Sequence, residues 1–175
     1  MPLTADAKPF GLRDVKLTNM AGSTQVDLPS AQTLRFSERL RSGELSGDDK
    51  TVAVVAFSDA VEWTLESGGI PLAAYALMTG RTMAAAGTTP SQTNTLTGSA
   101  QETFPYFKIY GTALGDGIDN VHCLIFKAKL TGSIEGTFGD GEFLVTSCSG
   151  VAIDDGTNGI FDFVQNETAA TVPAT

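Results

Sequence analysis

At 175 residues, 42% hydrophobic and 18% charged, the chain has the size of one domain and fewer charges than the usual fraction of about 25%. A chain of this size buries roughly two thirds of its unfolded surface and needs no disulfide or zinc staple. Eleven Lys and Arg against 20 Asp and Glu leave a net charge of −9, which supplies no cations to grip a phosphate backbone and argues against a conventional DNA-binding domain.

Residues 1–11, opening Met1-Pro2-Leu3-Thr4-Ala5-Asp6-Ala7-Lys8-Pro9, lack a basic stretch followed by an apolar run, so they read as an N-terminal arm and not as a secretory signal. Strands are expected at Leu12 to Leu17 and at Thr33 to Ser37. Ser37 to Lys50 then reads as a long connection, with Glu38, Arg39, Arg41, Glu44, Asp48 and Asp49 around the apolar pair Leu40 and Leu45. Compact domains use loops of about four to six residues, so this one needs a reason. Thr51 to Phe57 is apolar on both faces, as in a central strand covered by its own chain or by another subunit. The run Val52 to Phe57 is far shorter than the ~20 residues that span a bilayer, so the expectation is a soluble chain with no membrane partner.

Val61-Glu62-Trp63-Thr64-Leu65-Glu66 alternates cleanly, with Val61, Trp63 and Leu65 on the core face. Pro71 at a first-turn position, good or tolerable helix formers from Leu72 to Thr79, and Gly80 as a stop predict one helix. Leu72, Tyr75 and Thr79 fall on one side of it and Ile70, Ala73, Ala74 and Leu77 on another, so it is expected to pack on two sides. Arg81 to Phe104 is a second long connection, rich in Ala, Thr, Ser and Gly, and reads as a surface loop. Strands follow at Tyr106 to Ala113, Val121 to Leu130, Glu142 to Cys148 and Gly159 to Val164. Turns at Gly139 to Glu142 and Asp154 to Gly159 are each expected to join neighbouring strands. Gln165 to Thr175 reads as a polar, flexible tail. Seven or eight strands with one flanking helix make a mainly β chain of sandwich or barrel type, a single domain over 1–175.

The sequence holds little that resembles catalysis. His122 and Cys123 are adjacent on a strand and so point to opposite faces, which prevents a shared Cys/His nucleophilic site. Two cysteines and one histidine fall short of a zinc ligand set, and Cys123 and Cys148 read as buried free thiols. The acidic turns Asp154-Asp155-Gly156-Thr157-Asn158 and Gly115-Asp116-Gly117-Ile118-Asp119 lack the ligand spacing of a calcium loop. Lys50-Thr51 follows Asp49 and not glycine, and it opens a strand, so no phosphate-cradling loop is present. The expectation is no catalytic residue, no metal and no cofactor.

The order of features carries more than any one of them. Val26-Asp27-Leu28-Pro29-Ser30-Ala31-Gln32-Thr33-Leu34 is followed by the charged stretch ending Leu45-Ser46-Gly47-Asp48-Asp49-Lys50-Thr51-Val52. Ala60 to Leu65 and Ile70 to Gly80 come next, then Phe107 to Gly111 and Phe126 to Leu130. In this succession the chain resembles the major tail tube protein of bacteriophages with long, non-contractile tails. Ala84 to Ala100 has no counterpart in that pattern and reads as a loop peculiar to this chain.

The resemblance implies a β-sandwich virion subunit, made in the host cytoplasm, that self-assembles as hexameric rings stacked into a tube. The genome passes through that tube during ejection without specific binding. It also implies tail tip, tape measure and tail terminator proteins as partners. On this reading Ser37 to Lys50 is the inter-ring contact, through Arg39, Leu40, Arg41, Glu44, Leu45, Asp48 and Asp49, the arginines pairing with acidic partners. Carboxylates on the lumen wall would repel phosphate within about 8 Å at physiological salt, and Glu62, Glu66, Glu135, Glu142 and Asp162 are the candidates. The rival reading is a carbohydrate- or partner-binding β-sandwich module of the adhesin kind, with Tyr106 and Tyr110 as the aromatic residues best placed to be exposed.

Overall fold

The computed structural model describes residues 8–69, 71–115, 119–168 and 170–172. In chain order the elements are β1 (Phe10–Asn19), β2 (Gln25–Asp27), β3 (Ala31–Gly47), β4 (Lys50–Gly68), α1 (Leu72–Thr79), β5 (Met83–Ala86), β6 (Thr93–Leu96), β7 (Phe107–Leu114), β8 (Asn120–Gly136), β9 (Val145–Ala152) and β10 (Phe161–Asn166). The chain is mainly β, as its Phe, Thr, Val and Gly content predicts: one eight-stranded antiparallel sheet, one two-stranded sheet and one short helix. The large sheet runs β2-β1-β7-β8-β9-β4-β3, with β10 also paired to β8.

This sheet curls over its own core. β4 and β7 are separated in it by β8 and β9, yet the Trp63 and Phe107 rings meet edge to face with centroids 5.6 Å apart. Val61, Trp63 and Leu65, the core face read from the alternation, pack with Val15, Leu17, Phe107, Ile109 and Ile125. β3 returns over β7 as well, since a Cβ on Gly111 would lie 2.7 Å from Leu34 Cδ2, so a larger residue there would require the Leu34 side chain to move. Helix α1 closes one side of the core. It starts after Pro71 and ends at Gly80 in the left-handed conformation, φ 73°, as the Pro and Gly positions predict. It buries Ala74, Tyr75, Met78 and Thr79, and Leu77 packs partly buried against the core, so both expected sides contribute while Ala73 is exposed. Ile70 lies outside the described residues.

Three connections differ from expectation and one agrees. Ser37 to Lys50 is not a loop but strand, and Thr51 to Phe57 is not covered within its own chain: together they make most of the outer part of the β3–β4 hairpin. Arg81 to Phe104 contains the β5–β6 hairpin, anchored where Arg81 Nε donates to Glu102 Oε2 at 2.6 Å. Gly139 to Glu142 does lie between the paired strands β8 and β9. Asp154 to Gly159 does not join paired strands, because β9 and β10 lie one after the other along the same side of β8. Ile153 N–H to Lys127 C=O (3.0 Å) and Phe126 N–H to Ile160 C=O (3.1 Å) carry that ladder across the excursion.

The ends are also more structured than their composition suggests. Phe10 and Gly11 belong to β1, and Gln165 and Asn166 to β10. Val172 is buried against Tyr110, Leu124 and Phe126, and Ala170 C=O accepts from Asn120 Nδ2 at 2.6 Å. The rest of the expected N-terminal arm before Lys8, the turn residues Asp116 to Ile118, and tail residues 169 and 173–175 lie outside the described residues.

Candidate assembly surface

β4 changes surroundings at one point. From Val61 to Gly68 it is flanked by β3 and β9, and the pair Val61–Ala152 is the last on the β9 side. Towards Lys50 it pairs with β3 alone, so the outer hairpin leaves the body of the sheet as a two-stranded arm. From Arg39 to Gly47 each strand of the arm is on the order of 30 Å long at ~3.3 Å per residue. Its tip is a two-residue turn in which Asp48 and Asp49 both have positive φ, 48° and 59°, a geometry that suits strand twist and that Asp tolerates. Thr51, Val52, Val54, Val55 and Phe57 are strong strand formers, which explains why the arm holds strand geometry without a second neighbour.

The arm springs from a β-bulge. Arg39 pairs with Ala60 and Leu40 with Ser58, which leaves Asp59 without a register partner. Asp59 Oδ2 accepts from Arg41 Nε at 2.8 Å and Arg39 Nη2 at 2.9 Å. The Arg41 hydrogen bond, followed by that from Arg39, holds the Asp59 carboxyl below the usual carboxylate range. Exposed ion pairs contribute little to stability. This one instead fixes the two strands relative to each other where the arm departs.

Register assigns the arm two faces, because directly paired residues share a face. One carries Arg41 and Phe57, Gly43 and Val55, Leu45 and Ala53; the other carries Leu40 and Ser58, Ser42 and Ala56, Glu44 and Val54. Leu40, Leu45, Val52, Val54, Val55 and Phe57 are between 56% and 67% exposed. Shared between the two faces, they leave on the order of 700 Å² of apolar surface uncovered on one small arm, the kind of exposure that marks an interaction surface.

The expected contact residues are thus brought onto one arm but not onto one face. Leu40 and Leu45 are on opposite faces, Glu44 is opposite Val54, and Asp48 and Asp49 form the tip. Arg39 and Arg41 each donate to Asp59 of their own chain. Sequence reasoning missed Asp59, and of the two covers it allowed for Thr51 to Phe57, its own chain does not supply one. The available signal was Ser58-Asp59, a polar break between two apolar stretches of strand character.

Of the acidic candidates, Glu62, Glu66 and Glu135 share a face. Glu62 and Lys129 both pair with Val151, and Glu66 and Glu135 both pair with Ser147. Arg35, opposite Thr64, is on that face too, so its charge is mixed: Arg35 and Lys129 stand among the three glutamates. Glu142 is in the β8–β9 connection, away from this row, and Asp162 is exposed on β10 opposite Leu124.

The other sequence candidates resolve individually. His122 and Cys123 do face opposite ways: His122 is buried, with Nε2 3.2 Å from Ala170 C=O, and Cys123 is half-buried. Both cysteines are free, and burial pushes each thiol up to about 11. Asp155 Oδ1 accepts from the backbone N–H groups of Asn158 and Thr157, and its carboxyl is held at about 2. Among the described residues no group of three or more His, Cys, Asp or Glu is placed to hold a metal ion, and no helix is long and apolar enough to cross a membrane. Tyr110, one of the two aromatic candidates of the rival reading, is buried; Tyr106 remains at the surface, with Lys127 and Lys129 Nζ 5.3 and 5.0 Å from its ring centroid. The sequence matches no protein-family model and no curated protein.

Proposed function

We propose that this protein is a structural subunit that polymerises through its hairpin arm, as stacked hexameric rings forming the tail tube of a long, non-contractile-tailed bacteriophage. The observation that carries the reading is the arm: two strands projecting from the sheet with six large apolar side chains uncovered. A secreted or cytosolic monomer would gain nothing from that surface and would risk aggregation. A subunit that meets copies of itself covers it.

The curled mainly β body fits the sandwich subunit of such tubes, and the −9 charge fits a conduit that surrounds DNA without gripping it. The mixed charges around Glu62, Glu66 and Glu135 shift the weight of that second point from one acidic row to the net charge of the subunit. Arg39 and Arg41 act by setting the arm, and the apolar residues make the contact. In the virion the tail tip, tape measure and tail terminator proteins would nucleate, measure and stop the polymer.

Negative-stain electron microscopy of the concentrated protein tests the reading. Hollow tubes of uniform width are expected. Dispersed monomers that bind on a glycan array would replace it with the adhesin-like module.

A further inference from the structure

The curled sheet leaves a second apolar feature uncovered. Near the root of the same hairpin, β3 stands away from β1, β7 and β8 and opens a groove of about 380 Å³. Leu12, Leu34, Phe36, Ala113, Val121 and Cys123 supply most of its apolar wall. Phe36 is held at its edge by Phe163, with ring centroids 4.9 Å apart, and Phe163 is itself 5.2 Å from Phe161. These aromatic contacts wedge β3 against β10 and keep the groove open beside them.

We propose that this groove receives the arm of a second copy of the chain, through the arm face that carries Leu45, Ala53, Val55 and Phe57. The inference rests on the tube reading and adds the receptor to it. Two observations select this occupant. Apart from Arg41, which is held by Asp59 of its own chain, the face carries no charged side chain, whereas the opposite face carries Glu44, Ser42 and Ser58, which an apolar wall would desolvate without partners. The volumes agree: an apolar cavity of about 150 Å³ takes one benzene-sized group, so this groove takes two or three aliphatic or aromatic side chains. This face carries roughly half of the arm's exposed apolar area, on the order of 400 Å², so the groove supplies one part of the ~800 Å² that each partner contributes to a stable interface.

The geometry also dictates what such a contact builds. Arm face and groove are different surfaces of the same chain, so seating one in the other is head-to-tail and repeats from copy to copy, producing rings or open polymers instead of closed dimers. Leu34 and Phe36 lie on the same strand as Leu45, so successive copies would be offset by roughly the arm's length, on the order of 30 Å.

Cys123 in the groove wall allows a direct test in the full chain. Leu45→Cys and Val55→Cys are each prepared alone and with Cys123→Ser, assembled at high concentration, and oxidised with copper phenanthroline. Cys148 serves as an internal control because its Sγ is buried against Met78 Sδ at 3.9 Å. The expected result is a non-reducing ladder beyond the dimer that disappears with Cys123→Ser, because each copy offers one arm thiol and one groove thiol. Tubes that form without any Cys123-dependent link overturn the groove and leave the tube reading standing. A product that stops at the dimer and persists in Cys123→Ser means arm-to-arm pairing and also overturns it. Failure of the unsubstituted protein to assemble overturns both.

Discussion

The two halves of β4 are continuous in backbone and similar in apolar content, yet they have opposite fates. Val61, Trp63 and Leu65 lie at the centre of the core, while Val52, Val54, Val55 and Phe57 are more than half exposed. What separates them is the supply of neighbours: β9 accompanies the first half as far as Val61 and ends there. Side-chain chemistry thus makes both halves strands, and pairing decides which of them belongs to the monomer. The inner half stabilises the fold; the outer half is reserved for whatever covers it.

Truncating one aromatic in each half should expose the contrast most strongly. Trp63→Ala should cost about 3–5 kcal/mol of unfolding free energy, as for large aromatic residues in packed cores. Phe57→Ala should stay within about 0.5 kcal/mol of the parent monomer, as at ordinary surface sites, while raising the concentration needed for assembly. Chemical denaturation of unassembled protein checks both. A core-sized loss for Phe57→Ala would mean that the arm is covered within its own chain.

The bulge between the halves gives the next effect in size. Arg39→Glu with Arg41→Glu should increase hydrogen exchange in the arm and impair assembly with little change in thermal stability, and adding Asp59→Lys should restore both. If assembly fails equally in the double and triple variants, the arginines act on another subunit and not through Asp59.

The same contrast limits what the sequence could disclose. The body strands were legible, from Leu12 to Leu17 through Gly159 to Val164, because alternation and β-branched residues are local signals, whereas the short β2, β5 and β6 were not, and β9 starts at Val145 and not at Glu142. The helix was legible from Pro71 and Gly80. The arm was not, since the two-sided apolar run Thr51 to Phe57 looks the same whether its cover comes from a sheet neighbour or from another molecule. Its partner strand was hidden by charge: Arg39, Arg41 and Glu44 look like loop residues until Asp59 and the register with β4 are known. The Asp154 to Gly159 turn misled for a related reason, as turn chemistry predicts the bend but not which strands it joins.

Two smaller effects sharpen the division between body and arm. Both thiols belong to the body, and with values near 11 they are protonated at pH 8, so alkylation should be slow at half-buried Cys123 and slower still at Cys148. Equal, rapid labelling of both would mean that the body opens as readily as the arm. Acid acts more weakly. The Asp155 carboxyl lies at about 2, below its ordinary value of 3.8, so its contribution is complete above about pH 4 and is lost as pH falls towards 2. Asp59 is lowered in the same direction, so its links to both arginines should also outlast the ordinary carboxylate range. Carboxyl NMR titration checks the two together.

The claim that the outer half of β4 exists for assembly is tested most directly by negative-stain electron microscopy of the unsubstituted protein beside a Leu45→Asp, Val55→Asp variant at equal concentration. The expected result is tubes from the first and folded monomers, with an unchanged far-ultraviolet circular dichroism spectrum, from the second. Tubes of equal number and length from both proteins would contradict the account.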